Sequence, residues 1–209
     1  DADLAARTAK SLGCEHHAFL LTPAEAVAHL LDVARHMDEP IANHIQSSTF
    51  LLARLAKPHI TVALGGDGGD ELFGGYPRYW WSAQIDRMRR LPFVTNRHVM
   101  SFIVGTLLGK PNDLPKFLSQ PGLERHLAFV AQKEDSIRRI VKPHVLQADV
   151  LRETFAPYFS EAWNDATNQL MATDLSTWLP DESLVRSDKL TMASGLEERV
   201  PLLDRKSVV

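Results

Sequence analysis

The chain has 209 residues, with 23 Lys+Arg against 26 Asp+Glu, a formal net charge of −3, 44% hydrophobic residues and one cysteine. That length suits one domain burying roughly 70% of the surface its unfolded chain exposes, and no apolar run approaches the roughly 20 residues a membrane-spanning helix needs. One cysteine excludes a disulfide framework and a cysteine-rich zinc site, the charge balance gives no electrostatic reason to expect nucleic acid, and without an export signal the expected setting is the cytoplasm.

From Asp1 to Leu12, the residues Leu4, Ala5, Ala9 and Leu12 recur at helical spacing, and Gly13 supplies a left-handed stop. Cys14 reads as a small buried residue, and Ala18-Phe19-Leu20-Leu21 as a short buried strand. His16 and His17 are adjacent, so on a strand they face opposite ways and cannot readily share a metal ion; strand-edge packing or hydrogen bonding is expected. Thr22-Pro23-Ala24-Glu25 is a capping box with proline at the first helical position. The helix it opens carries Val27, Leu30, Leu31 and Ala34 as the expected apolar stripe, opposite His29, Asp32 and Arg35.

After Asp38-Glu39-Pro40 comes a polar loop, Asn43 to Ser48, and then a second helix with Phe50, Leu51 and Leu55 on one face, stopped near Pro58. Ile60-Thr61-Val62-Ala63-Leu64 is apolar without alternation, as in a strand covered on both faces. Helix, strand, helix, strand predicts an α/β fold with part of a parallel sheet. Beyond Tyr76 the periodicity is helical, broken by Pro92, Pro111, Pro115, Pro121, Pro143 and Pro180, and no strand is expected. Arg87, Arg89 and Arg90 fall near the end of one such helix, where the dipole favours solvated cations.

Six of the eleven glycines lie between Gly65 and Gly75, directly after the strand ending at Leu64. Glycine is conformationally costly, so such clustering needs a reason. In open α/β sheets the loop at the carboxyl end of a strand faces the ligand crevice, and glycine lets backbone N–H groups approach phosphate. Asp67, Asp70 and Glu71 would repel bare phosphate, a conflict that a divalent cation resolves, because carboxylates hold Mg2+ and Mg2+ holds phosphate oxygens. Familiar phosphate loops do not fit. Gly105-Thr106-Leu107-Leu108-Gly109-Lys110 has three residues between its glycines instead of four, and Pro111 stands where a Ser or Thr would meet magnesium.

Leu64-Gly65-Gly66-Asp67-Gly68-Gly69-Asp70-Glu71-Leu72-Phe73-Gly74-Gly75-Tyr76 resembles the S-G-x-G-x-D-E-x-F-G-G-Y block of glutamine-dependent asparagine synthetases. Three more blocks follow the same order. Gly13 to Leu21, with Glu15-His16-His17, resembles the family's LGTEHHE strand. Asp38-Glu39-Pro40 resembles its DEP. The stretch from Leu179-Pro180-Asp181 through Asp188-Lys189-Leu190-Thr191-Met192 to Leu196-Glu197-Glu198-Arg199-Val200-Pro201-Leu202-Leu203-Asp204 resembles its late segment.

The resemblance implies an adenine-nucleotide alpha-hydrolase-like (ATP-pyrophosphatase) fold, with an α/β nucleotide-binding part at residues 1–75 and a helical part at 76–209. It implies ATP and Mg2+, activation of the aspartate β-carboxylate as an acyl-adenylate, and ammonia derived from glutamine. By position, Gly65, Gly66, Gly68 and Gly69 would bind the nucleotide, Asp67 would act in forming the adenylate, and Asp70 would hold magnesium. Glu71 would brace the loop, and Glu197 with Arg199 would form an ion pair. Gly65 stands where serine is usual, Asn43 where aspartate is common, and Lys189 where arginine is common.

Nothing in these residues matches the family's SGGxDS pyrophosphate loop, its RPKQGF-like lysine segment or its glutaminase domain. The expectation is a fragment of a longer enzyme, inactive alone, with the glutaminase domain upstream and a homodimer possible. Two alternatives stay open: a sibling amidating another carboxylate on a sugar, peptide or β-lactam precursor, and a non-catalytic nucleotide-binding remnant.

Overall fold

The computed structural model describes residues 2–39, 43–89, 122–130, 134–142, 144–145, 150–159 and 165–204. The P-loop-like run from Gly105 to Pro111 and Arg90 lie outside the described residues, whereas Arg87 is exposed near its helix end as expected. The chain divides into two compact units, one of residues 1–65 with 182–201 and one of residues 66–181 with 202–209.

The first unit opens with α1 (Ala2–Leu12). Gly13, at φ +68°, ends it as expected. The Cys14 amide returns to the Ala9 carbonyl at 2.9 Å and the Gly13 amide to that of Lys10 at 3.2 Å, which satisfies the last carbonyls of the helix. No strand follows. Ala18 to Leu21 has no regular structure, Leu20 is 94% exposed, and Cys14 is exposed, which corrects two expectations. Without a strand, strand-edge packing does not describe the histidines either. His17 instead stacks on His59 with ring centroids 4.6 Å apart and meets Glu15 at 3.1 Å.

The capping box forms as read. The Thr22 amide donates to Glu25 at 2.8 Å, and the Glu25 amide donates to the Thr22 hydroxyl at 3.3 Å. The helix is interrupted at His29, giving α2 (Pro23–Ala28) and α3 (Leu30–His36). The expected stripe does not face inward: Val27, Leu30 and Leu31 are exposed, and Val33 is buried. Helix α4 (Gln46–Ala56) stops just before Pro58, with Phe50, Leu51 and Ala53 buried and Leu55 exposed.

Strand β1 (Val62–Leu64) pairs in parallel with β2 (Glu197–Arg199), in the register Val62 to Glu197 and Leu64 to Arg199. A strand beyond Tyr76 was not expected. Glu197-Glu198-Arg199 has no apolar pattern, and backbone pairing selects it: the Glu197 amide donates to Thr61 and the Gly65 amide to Arg199, at 3.1 and 2.7 Å. Nor is β1 covered on both faces, since Leu64 is 76% exposed. The fold is α/β, mostly helical, with this small parallel sheet among the described residues.

A π-helical turn at Leu179–Leu184 leads into α11 (Val185–Met192), so numbered because the helices between belong to the second unit. Gly195, at φ +68°, reverses the chain from α11 into β2. Val33, Phe50, Leu51 and Leu190 form the core of the first unit, with Leu21, Met37 and Ala193 packed against it.

In the second unit the short α5 (Gly69–Phe73) precedes α6 (Pro77–Arg89), α7 (Gly122–Val130), α8 (Glu134–Ile140), α9 (Val150–Phe155) and α10 (Ala166–Ser176). Helix α10 packs on α5 and α6. Tyr79, Ile85, Leu170 and Leu179 are buried there, and so are Ser82, Arg125, His126, Thr173 and Asp174. No helix among the described residues is long and apolar enough to cross a membrane.

Candidate functional site

Gly65 closes the first unit at the carboxyl end of β1. Its amide is already committed to the Arg199 carbonyl, and a Cβ added here would overlap the Glu198 carboxylate. The space a serine side chain would occupy is taken by the Glu198 carboxylate, the mobile end of a flexible side chain.

The rest of the loop belongs to the second unit. Gly66 has nothing within 4 Å of where a Cβ would be, so its backbone faces open space. Gly68, at φ +85°, begins α5, and a Cβ on it would overlap Leu203; one on Gly69 would lie 3.1 Å from Leu202. These two glycines thus let the Leu202-Leu203 segment pack directly on the loop. The Gly69 amide is used within the turn, donating to the Gly66 carbonyl at 3.2 Å. Gly74, at φ +71°, closes α5.

Asp70 is exposed in the first turn of α5, and Asp67 is half-buried in the turn before it. The Asp70 carboxylate lies over the bare Cα of Gly75, where any Cβ would overlap it, and the Gly75 amide donates to the Asp70 carbonyl at 2.9 Å. No group of three or more His, Cys, Asp or Glu among the described residues could enclose a metal ion. Magnesium needs no such cage, because one or two carboxylates with substrate phosphates usually hold it, and the exposed Asp70 beside the half-buried Asp67 is compatible with that mode.

Glu71 faces inward and is 2% exposed, accepting a hydrogen bond from the Tyr76 hydroxyl at 2.9 Å. This is the bracing role expected of it. Burial and then the neighbouring Glu71 carboxylate push the Tyr76 hydroxyl up to about 12. Next along the chain, Arg78 and Tyr79 both donate to Asp174 of α10, at 2.8 and 2.5 Å. Burial opposes the Arg78 charge, but the Asp174 carboxylate outweighs it and raises the guanidinium pKa. Burial and the same carboxylate raise the pKa of Tyr79. The segment after the glycine loop is therefore clamped to α10 by a buried charge. Asp174 has no local sequence signal, because its partners lie 95 and 96 residues away.

The late blocks meet the early ones inside the first unit. Lys189 pairs with Asp38 at 2.5 Å, and that carboxylate raises the ammonium pKa. The Glu197–Arg199 ion pair forms at 2.7 Å but is exposed, and such pairs contribute about 0–1 kcal/mol. Strand pairing, more than this ion pair, anchors the late segment.

The asparagine synthase family model matches residues 1–208. Asparagine synthetase [glutamine-hydrolyzing] 1 of Bacillus subtilis is 31% identical over 98% of this chain and 33% of its own length. A putative asparagine synthetase [glutamine-hydrolyzing] of Mycobacterium tuberculosis is 32% identical over 97% of the chain and 31% of its own length. Asparagine synthetase [glutamine-hydrolyzing] 1 of Saccharomyces cerevisiae is 38% identical over 89% of the chain, again 31% of its own length. The chain thus spans about a third of the length of these relatives. No solved structure gives a significant match. With the family's blocks in order and its model matched from end to end, the chain belongs to the asparagine synthase family.

Proposed function

We propose that this chain is part of an ATP-dependent amide-forming ligase that activates the aspartate β-carboxylate for attack by ammonia. The observation that carries the reading is the glycine-rich, acidic loop at the carboxyl end of β1, in a chain whose relatives are named glutamine-hydrolysing asparagine synthetases. In this reading the ATP-pyrophosphatase architecture has its nucleotide-binding part in residues 1–75 and its helical part in 76–209, with β2 returning to pair with β1.

A carboxylate is a poor electrophile. Its oxygen attacks the α-phosphorus of ATP, pyrophosphate leaves, and the resulting mixed anhydride yields to ammonia with AMP as leaving group. Magnesium supplies charge neutralisation for the departing pyrophosphate. Asp70 would hold it, and Asp67, one turn earlier, acts where the adenylate forms. Gly66 presents backbone to the phosphates, and Gly68, packed beneath Leu203, sets the turn that places it. Gly65 and Gly69, whose amides are spent on backbone carbonyls, serve by close approach alone. Glutamine-derived ammonia from an upstream glutaminase domain, a homodimeric state and a cytoplasmic setting belong to the same proposal.

The test is amide formation by the full-length protein with Mg–ATP, ammonium and a series of carboxylates. Aspartate-dependent release of AMP and pyrophosphate, with asparagine as product, is expected. Release with another carboxylate but not aspartate would transfer the reading to a sibling amidotransferase, and no release with any would end it. The 209-residue chain alone is expected to show no aspartate-dependent ATP–pyrophosphate exchange above a blank.

A further inference from the structure

Asn43, which replaces the aspartate common in the family pattern, is fixed at both ends of its amide. Its Oδ1 accepts the Ile45 backbone N–H at 3.0 Å, which identifies Nδ2 as the group facing Glu182 Oε1 at 2.6 Å. The same carboxylate oxygen accepts Arg186 Nε at 2.9 Å, and Arg186 Nη2 donates to the Ser183 hydroxyl at 3.2 Å. The Glu182 and Arg186 side chains are 13% and 7% exposed, and Glu182 Oε2 is buried without a partner. All of these residues lie within the first unit. Asn43 begins the segment entering α4, whose first residues, Gln46 and Ser47, are buried polar groups.

An aspartate at position 43 would set two carboxylates within hydrogen-bonding distance, where both cannot remain ionised. An alanine would strip Glu182 of one donor and the Ile45 amide of its acceptor. An amide at 43 satisfies a carboxylate at 182 and the Ile45 amide together, donating to the one and accepting from the other.

We propose that Asn43 and Glu182 are a matched positioning pair that fixes the entry to α4, with Glu182 shared between Asn43 and Arg186. Asparagine at 43 is then the residue that suits Glu182 in this chain and does not itself signal a different acceptor. The second statement rests on the ligase reading; the first does not.

The experiment is a four-member cycle in the full-length protein: parent, Asn43→Asp, Glu182→Gln and the double variant, in which the amide and the carboxylate exchange places. Asn43→Asp should lower the Tm by about 5 °C at pH 8. The loss should shrink at pH 5, because a proton shared by the facing carboxylates has a raised pKa and its stabilisation disappears as pH rises. The double variant should recover part of the loss, because an amide at 182 can donate to the new carboxylate but the atom that does so no longer accepts from Arg186. Asn43→Asp melting like the parent at pH 8, or a double variant no more stable than Asn43→Asp, would overturn the pair.

In the amide-forming assay, Asn43→Asp should raise the KM for the acceptor roughly tenfold, leave the KM for Mg–ATP unchanged, and be partly rescued in the double variant. A changed choice of acceptor would instead place Asn43 against the substrate and overturn the positioning role. If the parent amidates no carboxylate, the ligase reading fails while the melting cycle still decides the pair.

Discussion

In the first unit, Val33, Phe50, Leu51 and Leu190 pack a small hydrocarbon core; the Glu182–Arg186 pair beside it is buried, while Glu197–Arg199 and Lys189–Asp38 stay at the surface. The second unit rests more heavily on buried charge. Asp174 is fully buried between Arg78 and Tyr79, Arg125 is buried against Asp86 at 2.6 Å, and His126 sits between the rings of Phe155 and Phe159 at 5.2 and 5.5 Å. Among the described residues neither His126 ring nitrogen has a hydrogen-bond partner. A hydrocarbon core loses stability in proportion to the volume removed, whereas a buried charge becomes a liability once its partner is gone. The loop residues from Gly66 onward belong to the unit built on charge, so their geometry depends on Asp174 remaining paired.

Three effects sharpen that contrast. Asp174→Ala should cost the most, about 4 kcal/mol, because it strands the Arg78 guanidinium and the Tyr79 hydroxyl. Thermal melting should show a fall of roughly 10 °C, and Asp174→Asn should recover part of it. Leu190→Ala in the first unit should cost about 3 kcal/mol by chemical denaturation, as expected for a fully buried leucine. A larger loss at Leu190 than at Asp174 would break the contrast.

The third effect is a pH dependence. Burial holds His126 below the ordinary imidazole value of 6.5; Asp174 pulls the other way and Arg78 adds to the lowering. The unfolded chain therefore binds its proton first. The contribution of His126 is fully present above pH 6.5 and is lost as pH falls from there towards the depressed folded value. Urea midpoints between pH 7.5 and 5 should fall with acidification, and His126→Phe should flatten that slope. An unchanged slope would mean that His126 is not the titrating group.

Local chemistry was legible wherever the deciding atoms are neighbours in the chain. The Gly13 stop, the Thr22 and Glu25 capping box and the end of α4 near Pro58 formed as read, and a strand does stand ahead of the glycines, shorter and more exposed than expected. Features set by distant partners were not legible. The stripe Val27, Leu30, Leu31 has good helical spacing, yet it is exposed and Val33 is buried. Glu197-Glu198-Arg199 becomes a strand only because β1 offers it an edge. Glu182, Asp174 and Glu198 each act on a partner far away in sequence, and a carboxylate read alone defaults to solvent. The one available hint was that Glu182 and Glu198 lie inside the quoted family blocks.

The most direct test of the nucleotide-loop assignment is calorimetric titration of the full-length protein with Mg–ATP, comparing the parent with Asp70→Asn. Asp70 is exposed and outside the buried network, so the variant should melt like the parent. Saturable binding by the parent, weakened roughly tenfold or more in the variant, is the predicted result. Equal affinity in the two proteins would remove Asp70 from the metal site, and no binding to either would contradict the assignment of the loop to a magnesium–nucleotide.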